Sequence, residues 1–219
     1  MEPGSDHIGR VGALRAIQDG RVVAVLRAAD AGRLAAAADV LVGHGIRAVE
    51  FALTTPGALE ALERYCSTAS AEACVGAGTV LTATDARSAV SAGARFLVTP
   101  AVVQEVIATG TELGVPVLAG ALTPTEILAA VTAGAALVKV FPAALGGPAY
   151  LRLVRDPLPQ VPLVPTGGIG LGEVTGYLSA GAVAVGLGGQ LLGDALRGGS
   201  LSDLGLRARQ LLQVIGDRP

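Results

Sequence analysis

A short pattern recurs along this chain and limits the folds that are open to it. Each copy has a helical stretch rich in Ala and Leu, then a glycine, a small or β-branched residue, and an apolar run of strand length. The glycines of the copies are Gly45, Gly93, Gly114, Gly134 and Gly181. Neighbouring glycines are 21 and 20 residues apart, or 48 and 47, which is about two units. Because glycine often adopts the left-handed conformation just past a helix, the pattern predicts helix, cap and strand in repetition.

Filling the two long gaps gives eight strands with a helix after each. The predicted strands are 21–27, 46–53, 73–77, 95–99, 115–120, 136–141, 161–165 and 182–187. The predicted helices are 30–43, 56–68, 82–92, 102–113, 123–133, 147–155, 170–180 and 202–215, with a short helix near 9–19 before the first strand. Apolar strands separated by helices indicate a parallel sheet, and eight such units close most naturally into a (β/α)8 TIM barrel. We therefore expect an α/β chain with a flexible tail over residues 1–8 and a single barrel domain over residues 9–219.

An open, doubly wound sheet is the alternative architecture. Such sheets usually carry a glycine-rich phosphate-binding turn after the first strand. Here the first strand ends in Leu26-Arg27-Ala28, which contains no glycine. The barrel is therefore favoured, and functional groups are expected at the carboxyl ends of its strands.

Composition excludes several classes of protein. Hydrophobic residues make up 51% of the 219 residues, which is enough for a large core and excludes a disordered chain. The net charge is −2 without any run of Lys or Arg, which argues against nucleic-acid binding. Apolar stretches are interrupted before about 18 residues, and no segment resembles a signal peptide, so we expect no membrane partner and a cytoplasmic location. No Cys, His, Asp or Glu pattern has metal-ligand spacing, so no metal is expected.

One lysine stands out before any motif is considered. The 16 cationic residues are 15 arginines and Lys139. Alternation along the strand places Lys139 and Phe141 on one face and the two flanking valines on the other. Valine suits the side that faces the helices, so Lys139 is expected to point into the barrel, where desolvation favours a neutral amine able to attack a carbonyl. The alternatives are a structural lysine held in a salt bridge, and a lysine at the strand edge whose long side chain carries its ammonium out to water.

A carboxylate occupies the middle of the second predicted strand. Glu50 lies between apolar neighbours and shares a face with the small residues Ala48 and Ala52. A buried carboxylate needs a partner or a function. It is either a general base, or one half of a core ion pair with Arg27 or Arg47.

Glycine-rich loops follow the last two predicted strands. Thr166-Gly167-Gly168 and Gly186-Leu187-Gly188-Gly189 lie where barrels of this kind often bind phosphate through backbone N–H groups. On this interpretation backbone N–H groups and a helix N-terminus carry the phosphate binding, with no lysine in direct reach. The alternative is that both loops are ordinary short turns. A third segment, Gly76-Ala77-Gly78-Thr79, is predicted to be a loop that approaches a carboxylate or carbonyl. The other candidates at strand ends are Arg27, Thr54, Pro100 and Phe141.

Together these segments resemble the 2-keto-3-deoxy-6-phosphogluconate (KDPG) aldolase family, class I aldolases that also cleave 4-hydroxy-2-oxoglutarate (KHG). The segments that carry the resemblance are Val49-Glu50, Gly76-Ala77-Gly78-Thr79-Val80, Lys139-Val140-Phe141-Pro142-Ala143 and Pro165-Thr166-Gly167-Gly168-Ile169. The resemblance implies a Schiff-base lysine at Lys139 and a proton-transferring glutamate at Glu50. It also implies substrate-carboxylate contacts near Thr79 and Arg27, a phosphate at Thr166-Gly167-Gly168 and Gly188-Gly189, and a homotrimer.

Two positions depart from the family pattern. Many members carry an arginine where this chain has Thr54, and many carry a serine where it has Gly189. Both changes remove polar contacts to the distal part of the substrate. They leave the class of chemistry unchanged and bear on substrate choice.

The resemblance implies a lyase of Entner–Doudoroff carbohydrate metabolism that needs no cofactor, because a protonated imine serves as the electron sink. It would cleave KDPG to pyruvate and glyceraldehyde 3-phosphate, and KHG to pyruvate and glyoxylate. Two alternatives use the same barrel. One is a phosphosugar isomerase or epimerase with Glu50 as base and Lys139 as an unreacted cation, and the other is a non-catalytic phosphometabolite-binding protein.

Overall fold

The computed structural model describes residues 10–216, so the predicted tail over residues 1–8 lies outside the described residues. The strands are β1 Val22–Leu26, β2 Ala48–Ala52, β3 Cys74–Gly78, β4 Phe96–Val98, β5 Val117–Ala121, β6 Leu137–Val140, β7 Leu163–Pro165 and β8 Val185–Leu187. The α-helices are α1 Arg10–Gly20, α2 Leu34–Gly43, α3 Ala58–Thr68, α4 Ala83–Ser91, α5 Gln104–Glu112, α6 Pro124–Thr132, α7 Gly147–Arg155, α8 Val174–Ser179, α9 Gly189–Leu192 and α10 Leu201–Gly216. Short 3-10 turns occupy Ala143–Leu145, Leu171–Glu173 and Ala195–Arg197.

All eight strands are parallel and form one sheet in the order β7-β6-β5-β4-β3-β2-β1-β8. A single bridge between Thr166 and Gly186 joins the two edges and closes the sheet. The predicted (β/α)8 barrel with a short N-terminal helix is therefore confirmed, and the doubly wound alternative is wrong. Closure brings the carboxyl ends of all strands to one rim, which is where such barrels hold their functional groups.

The core has two parts, as strand alternation requires. The large outer part joins one face of the strands to the surrounding helices and contains Val138 and Val140. The smaller part fills the barrel interior and contains Ala48 and Leu137. Helix α1 contributes Ala13 and Ile17 to this interior cluster, so it packs against the amino-terminal end of the barrel.

The glycine caps are confirmed, since all five repeat glycines have φ between +70° and +102°. The third strand ends one residue later than predicted, at Gly78 instead of residue 77, so Gly76–Gly78, which was also expected to act as a close-approach loop, lies in β3. Glycine is required here for a steric reason, because a Cβ on Gly76 would overlap the ring of Phe96 and a Cβ on Gly78 would overlap the side chain of Glu50. These glycines make room inside the barrel instead of forming a turn.

Candidate active site

Lys139 lies at the carboxyl end of β6, inside the barrel. It is 6% exposed, and its Nζ lies 5.5 Å from the centroid of the Phe141 ring. The two ion pairs among residues 10–216, Arg47–Glu72 and Arg87–Glu112, are exposed and do not involve Lys139. The alternative of a salt-bridged structural lysine is therefore wrong within the described residues. Lys139 presents an amine at the rim.

Glu50 is 2% exposed in β2, and its Oε1 has no hydrogen-bond partner among the described residues. The ion-pair interpretation of this residue fails, because Arg47 pairs with Glu72 at 3.3 Å. Arg27 instead donates a hydrogen bond to the Thr79 hydroxyl. A buried carboxylate oxygen without a partner costs stability, which is a feature typical of functional carboxylates.

The guanidinium of Arg27 joins the ends of β1 and β3. Its Nη2 donates to Thr79 Oγ1 at 3.1 Å. Thr79 has φ of +58°, which is rare for a β-branched residue and persists only where the surroundings hold it. The arrangement sets a cation and a hydroxyl beside each other at the rim, a pair suited to a carboxylate.

A cavity of about 240 Å3 opens at this rim. Its lining includes Lys139, both glycine-rich loops and Arg27. In full, it is lined by Val25, Arg27, Lys139, Phe141, Thr166, Gly167, Gly168, Gly188, Gly189, Leu192, Gly193, Leu196 and Arg197. Four other cavities are larger: two of about 640 and 700 Å3 next to the amino end of β1, and two of about 520 and 350 Å3. None of the four is lined by Lys139, so the smaller cavity is the one that fits the predicted chemistry.

The two glycine-rich loops offer hydrogen-bond donors to this cavity. Within residues 10–216, the backbone N–H groups of Gly167, Gly168, Gly188 and Gly189 donate no hydrogen bond. Gly167 and Gly168 have φ of +93° and +77°, and a Cβ on either would come within 2.8 Å of the neighbouring segment after β6. Unengaged N–H groups on adjacent loops form a concavity that suits an anion.

Four predicted site residues do not line the cavity. Glu50 and Thr79 lie on the neighbouring strands β2 and β3 or directly after them. Thr54 is exposed in the turn before α3, whereas its neighbour Thr55 is buried and accepts a hydrogen bond from the Ala28 N–H. Pro100 follows β4, where its carbonyl lies close to Gly120.

Arg197 lines the cavity but was not predicted from the sequence. The same holds for the small and apolar lining residues Val25, Leu192, Gly193 and Leu196. Arg197 lines the same cavity as Gly188 and Gly189, so an arginine lies beside the backbone donors of the glycine-rich loops. The sequence offered one indication of this residue, the long segment between β8 and α10. The prediction considered only the first residues of that segment, Gly188 and Gly189.

Two negative findings apply to the described residues. No group of three or more His, Cys, Asp or Glu side chains is placed to hold a metal ion there. Among residues 10–216, every helix is too short or too polar to cross a membrane.

Comparison with known proteins gives consistent matches. Residues 14–203 match the family model described as KDPG and KHG aldolase. The chain is 36% identical over 197 residues to the 2-dehydro-3-deoxy-phosphogluconate aldolase of Treponema pallidum (strain Nichols), covering 89% of this chain and 92% of that one. It is 34% identical over 179 residues to the KHG/KDPG aldolase of Escherichia coli (strain K12), covering 80% and 83%.

A solved structure is also similar. The crystal structure of KDPG aldolase from Legionella pneumophila, with pyruvate captured at low pH as a covalent carbinolamine intermediate, superposes with a TM-score of 0.83 at 28% identity. The match covers 91% of this chain and 97% of that one.

Proposed function

This chain belongs to the KDPG and KHG aldolase family and is a class I aldolase, and we propose that it cleaves KDPG to pyruvate and glyceraldehyde 3-phosphate. Cleavage of KHG to pyruvate and glyoxylate is the proposed second reaction, by analogy with the relative from Escherichia coli. The observation that carries the proposal is the placement of Lys139, the one lysine of the chain, in the wall of a cavity next to two glycine-rich loops.

Lys139 is the proposed nucleophile. Its neutral Nζ attacks the C2 ketone of the substrate to give a carbinolamine, which loses water to form an iminium. The positive nitrogen then accepts the electron pair of the C3–C4 bond as that bond breaks. Lys139 is buried within the barrel and has no ion-pair partner within residues 10–216, so its Nζ is not held by a carboxylate and can reach a substrate in the cavity.

Glu50 is the proposed proton-transfer group. It takes the proton of the C4 hydroxyl, directly or through a water molecule, as the aldehyde leaves. The enamine left on Lys139 is then protonated at C3, and water releases pyruvate and restores the amine. The unpartnered Oε1 of Glu50 is consistent with a group that is free to accept a proton.

The remaining predicted residues have proposed binding roles. Arg27 and Thr79 would hold the carboxylate at C1. The N–H groups of Gly167, Gly168, Gly188 and Gly189 would hold the phosphate, with Thr166 lining the cavity beside them. Phe141 would cover the imine, since its ring centroid lies 5.5 Å from the Lys139 Nζ. Thr54 and Pro100 would lie further along the substrate.

We further propose a homotrimer of single-domain chains. Leu145 and Leu153, in the turn and helix after β6, are 73% and 69% exposed, which is costly for a lone chain and suits a subunit interface. A cytoplasmic location is proposed because Cys66 and Cys74 are free thiols, as expected in a reducing compartment.

Product analysis tests the reaction. After incubation with KDPG, pyruvate and glyceraldehyde 3-phosphate should appear in equal amounts as KDPG disappears. An isomerase or epimerase would convert the substrate into a compound of the same mass without releasing pyruvate. Consumption of KDPG without pyruvate would overturn the proposal.

A further inference from the structure

We propose that Arg197 is a specificity-determining residue that binds the phosphate of the substrate. The inference rests on the proposed function and assigns a charged partner to the distal end of the same cavity. Arg197 lies in the segment that joins β8 to α10, residues 188–200, and it lines the cavity together with Lys139.

The backbone of this segment is braced from outside the cavity by two other arginines. Arg33 donates through Nε and Nη2 to the carbonyls of Ala195 and Gly199, each at 2.7 Å. Arg207 donates through Nε and Nη2 to the carbonyls of Leu191 and Leu192, at 2.7 and 2.8 Å. Four charge-assisted hydrogen bonds to carbonyls on both sides hold the segment in position. The position of the Arg197 backbone is thereby fixed before any ligand arrives.

The side chain of Arg197, in contrast, has no partner within residues 10–216. It makes neither a hydrogen bond nor an ion pair there, and it is exposed to the cavity mouth. A guanidinium is always charged and offers a planar fork of N–H donors that matches phosphate oxygens. Placing an unengaged guanidinium on a fixed backbone reduces the ordering cost of binding an anion.

The basic side chains that line the cavity differ in their proposed partners, and Arg197 is the one available to the phosphate. The lining contains three basic side chains, Arg27, Lys139 and Arg197, and no carboxylate. Lys139 is the proposed imine-forming group, and Arg27 is already hydrogen-bonded to Thr79, which follows β3. Arg197 is the remaining cation, and it shares the lining with the unengaged N–H groups of both glycine-rich loops. Its charge would therefore complement these neutral donors at the phosphate. It would compensate for the arginine and the serine that many family members carry where this chain has Thr54 and Gly189.

The test compares KDPG with 2-keto-3-deoxygluconate, which differs only in lacking the phosphate. Four proteins are assayed with both substrates: the wild type, Arg197→Gln, Arg197→Lys and Arg64→Gln. Arg64 is an exposed residue of α3 that does not line the cavity, so its replacement controls for the loss of one positive charge.

We expect Arg197→Gln to lower the ratio of kcat/KM for KDPG over kcat/KM for 2-keto-3-deoxygluconate by about 10–100-fold, because a charge-assisted hydrogen bond is lost. Most of the loss should be in KM for KDPG. Arg197→Lys should recover part of the ratio, and Arg64→Gln should keep the wild-type ratio.

The inference is overturned if Arg197→Gln keeps the wild-type ratio, or if it lowers kcat/KM equally for both substrates, since an equal loss indicates a structural role. These outcomes leave the proposed function intact as long as the wild type releases pyruvate from KDPG. If the wild type releases pyruvate from neither compound, the proposed function fails, and the assignment of Arg197 fails with it.

Discussion

Gly78 in β3 leaves the space that the side chain of Glu50 in β2 occupies. The two strands are paired in parallel, with Ala52 opposite Gly78 and Glu50 opposite Gly76. A Cβ on Gly78 would overlap the carboxyl group and the Cγ of Glu50. A residue type in one strand thus determines where the proposed proton-transfer group of the next strand can lie.

Replacement of Gly78 by alanine should therefore disturb catalysis through Glu50. The added methyl group has to displace the carboxylate, so we expect kcat for KDPG to fall toward the loss of about 10²–10⁴-fold that is typical when a general acid–base group is removed. Gly43→Ala is the matched control, because a Cβ at that helical position meets no atom within 4 Å. Wild-type kcat in Gly78→Ala would show that the position of Glu50 does not matter.

Glu50→Gln separates proton transfer from imine formation. The amide keeps the shape of the side chain but cannot take the C4 hydroxyl proton, so turnover of KDPG should fall by about 10²–10⁴-fold. Trapping of pyruvate on Lys139 should persist in this variant. Steady-state kinetics and thermal unfolding are measured for the variant and the wild type. Near-normal turnover together with a much lower Tm in the variant would indicate that Glu50 has a purely structural role.

The two cysteines should be unreactive in the folded protein. Burial raises the pKa of the Cys66 thiol to about 11 and that of the Cys74 thiol to about 12, while the charge of Arg95 lowers both slightly. At pH 8 both groups are then protonated, and the thiolate is the reactive form. Labelling by a disulfide reagent at this pH should be far slower in the native protein than in denaturant. Complete labelling of both thiols at equal rates in the two states would contradict the burial of these groups.

The exposed leucines after β6 predict association. Light scattering at micromolar concentration should give a mass of about 65 kDa, which is three chains of 21.7 kDa. Replacing Leu145 and Leu153 together by glutamate should shift the mass toward the monomer, whereas Leu206→Glu, at an exposed position of α10, serves as the control. A wild-type mass near that of one chain would exclude the trimer.

Much of this architecture could be predicted from the sequence because local rules dominate it. A glycine at a helix end indicates a residue in the left-handed conformation, and alternation around Lys139 indicates which face of the strand meets the helices. Each of these rules applies to a single helix or strand. They cannot show why residue 78 is a glycine, because the reason is the Glu50 side chain of a neighbouring strand.

The same limit explains why Arg197 was missed. The residue lies eight positions beyond Gly189, past a short helix and in a 3-10 turn, so no spacing rule connects it to the glycine-rich loops. Its place in the cavity depends on hydrogen bonds from Arg33 and Arg207, which are far apart in the sequence. Contacts of this kind become visible only when the chain is folded.

Reductive trapping of pyruvate tests the central claim most directly. The protein is mixed with pyruvate and borohydride, digested, and analysed by mass spectrometry, beside the Lys139→Arg variant. Because the chain has one lysine, one reduced pyruvate adduct is expected on the peptide that contains Lys139. In the Lys139→Arg variant no adduct is expected on that peptide, because a guanidinium stays protonated and cannot form an imine. The variant should also show no cleavage of KDPG. An active wild type that traps no pyruvate on Lys139, or a Lys139→Arg variant that still cleaves KDPG, would contradict the Schiff-base account.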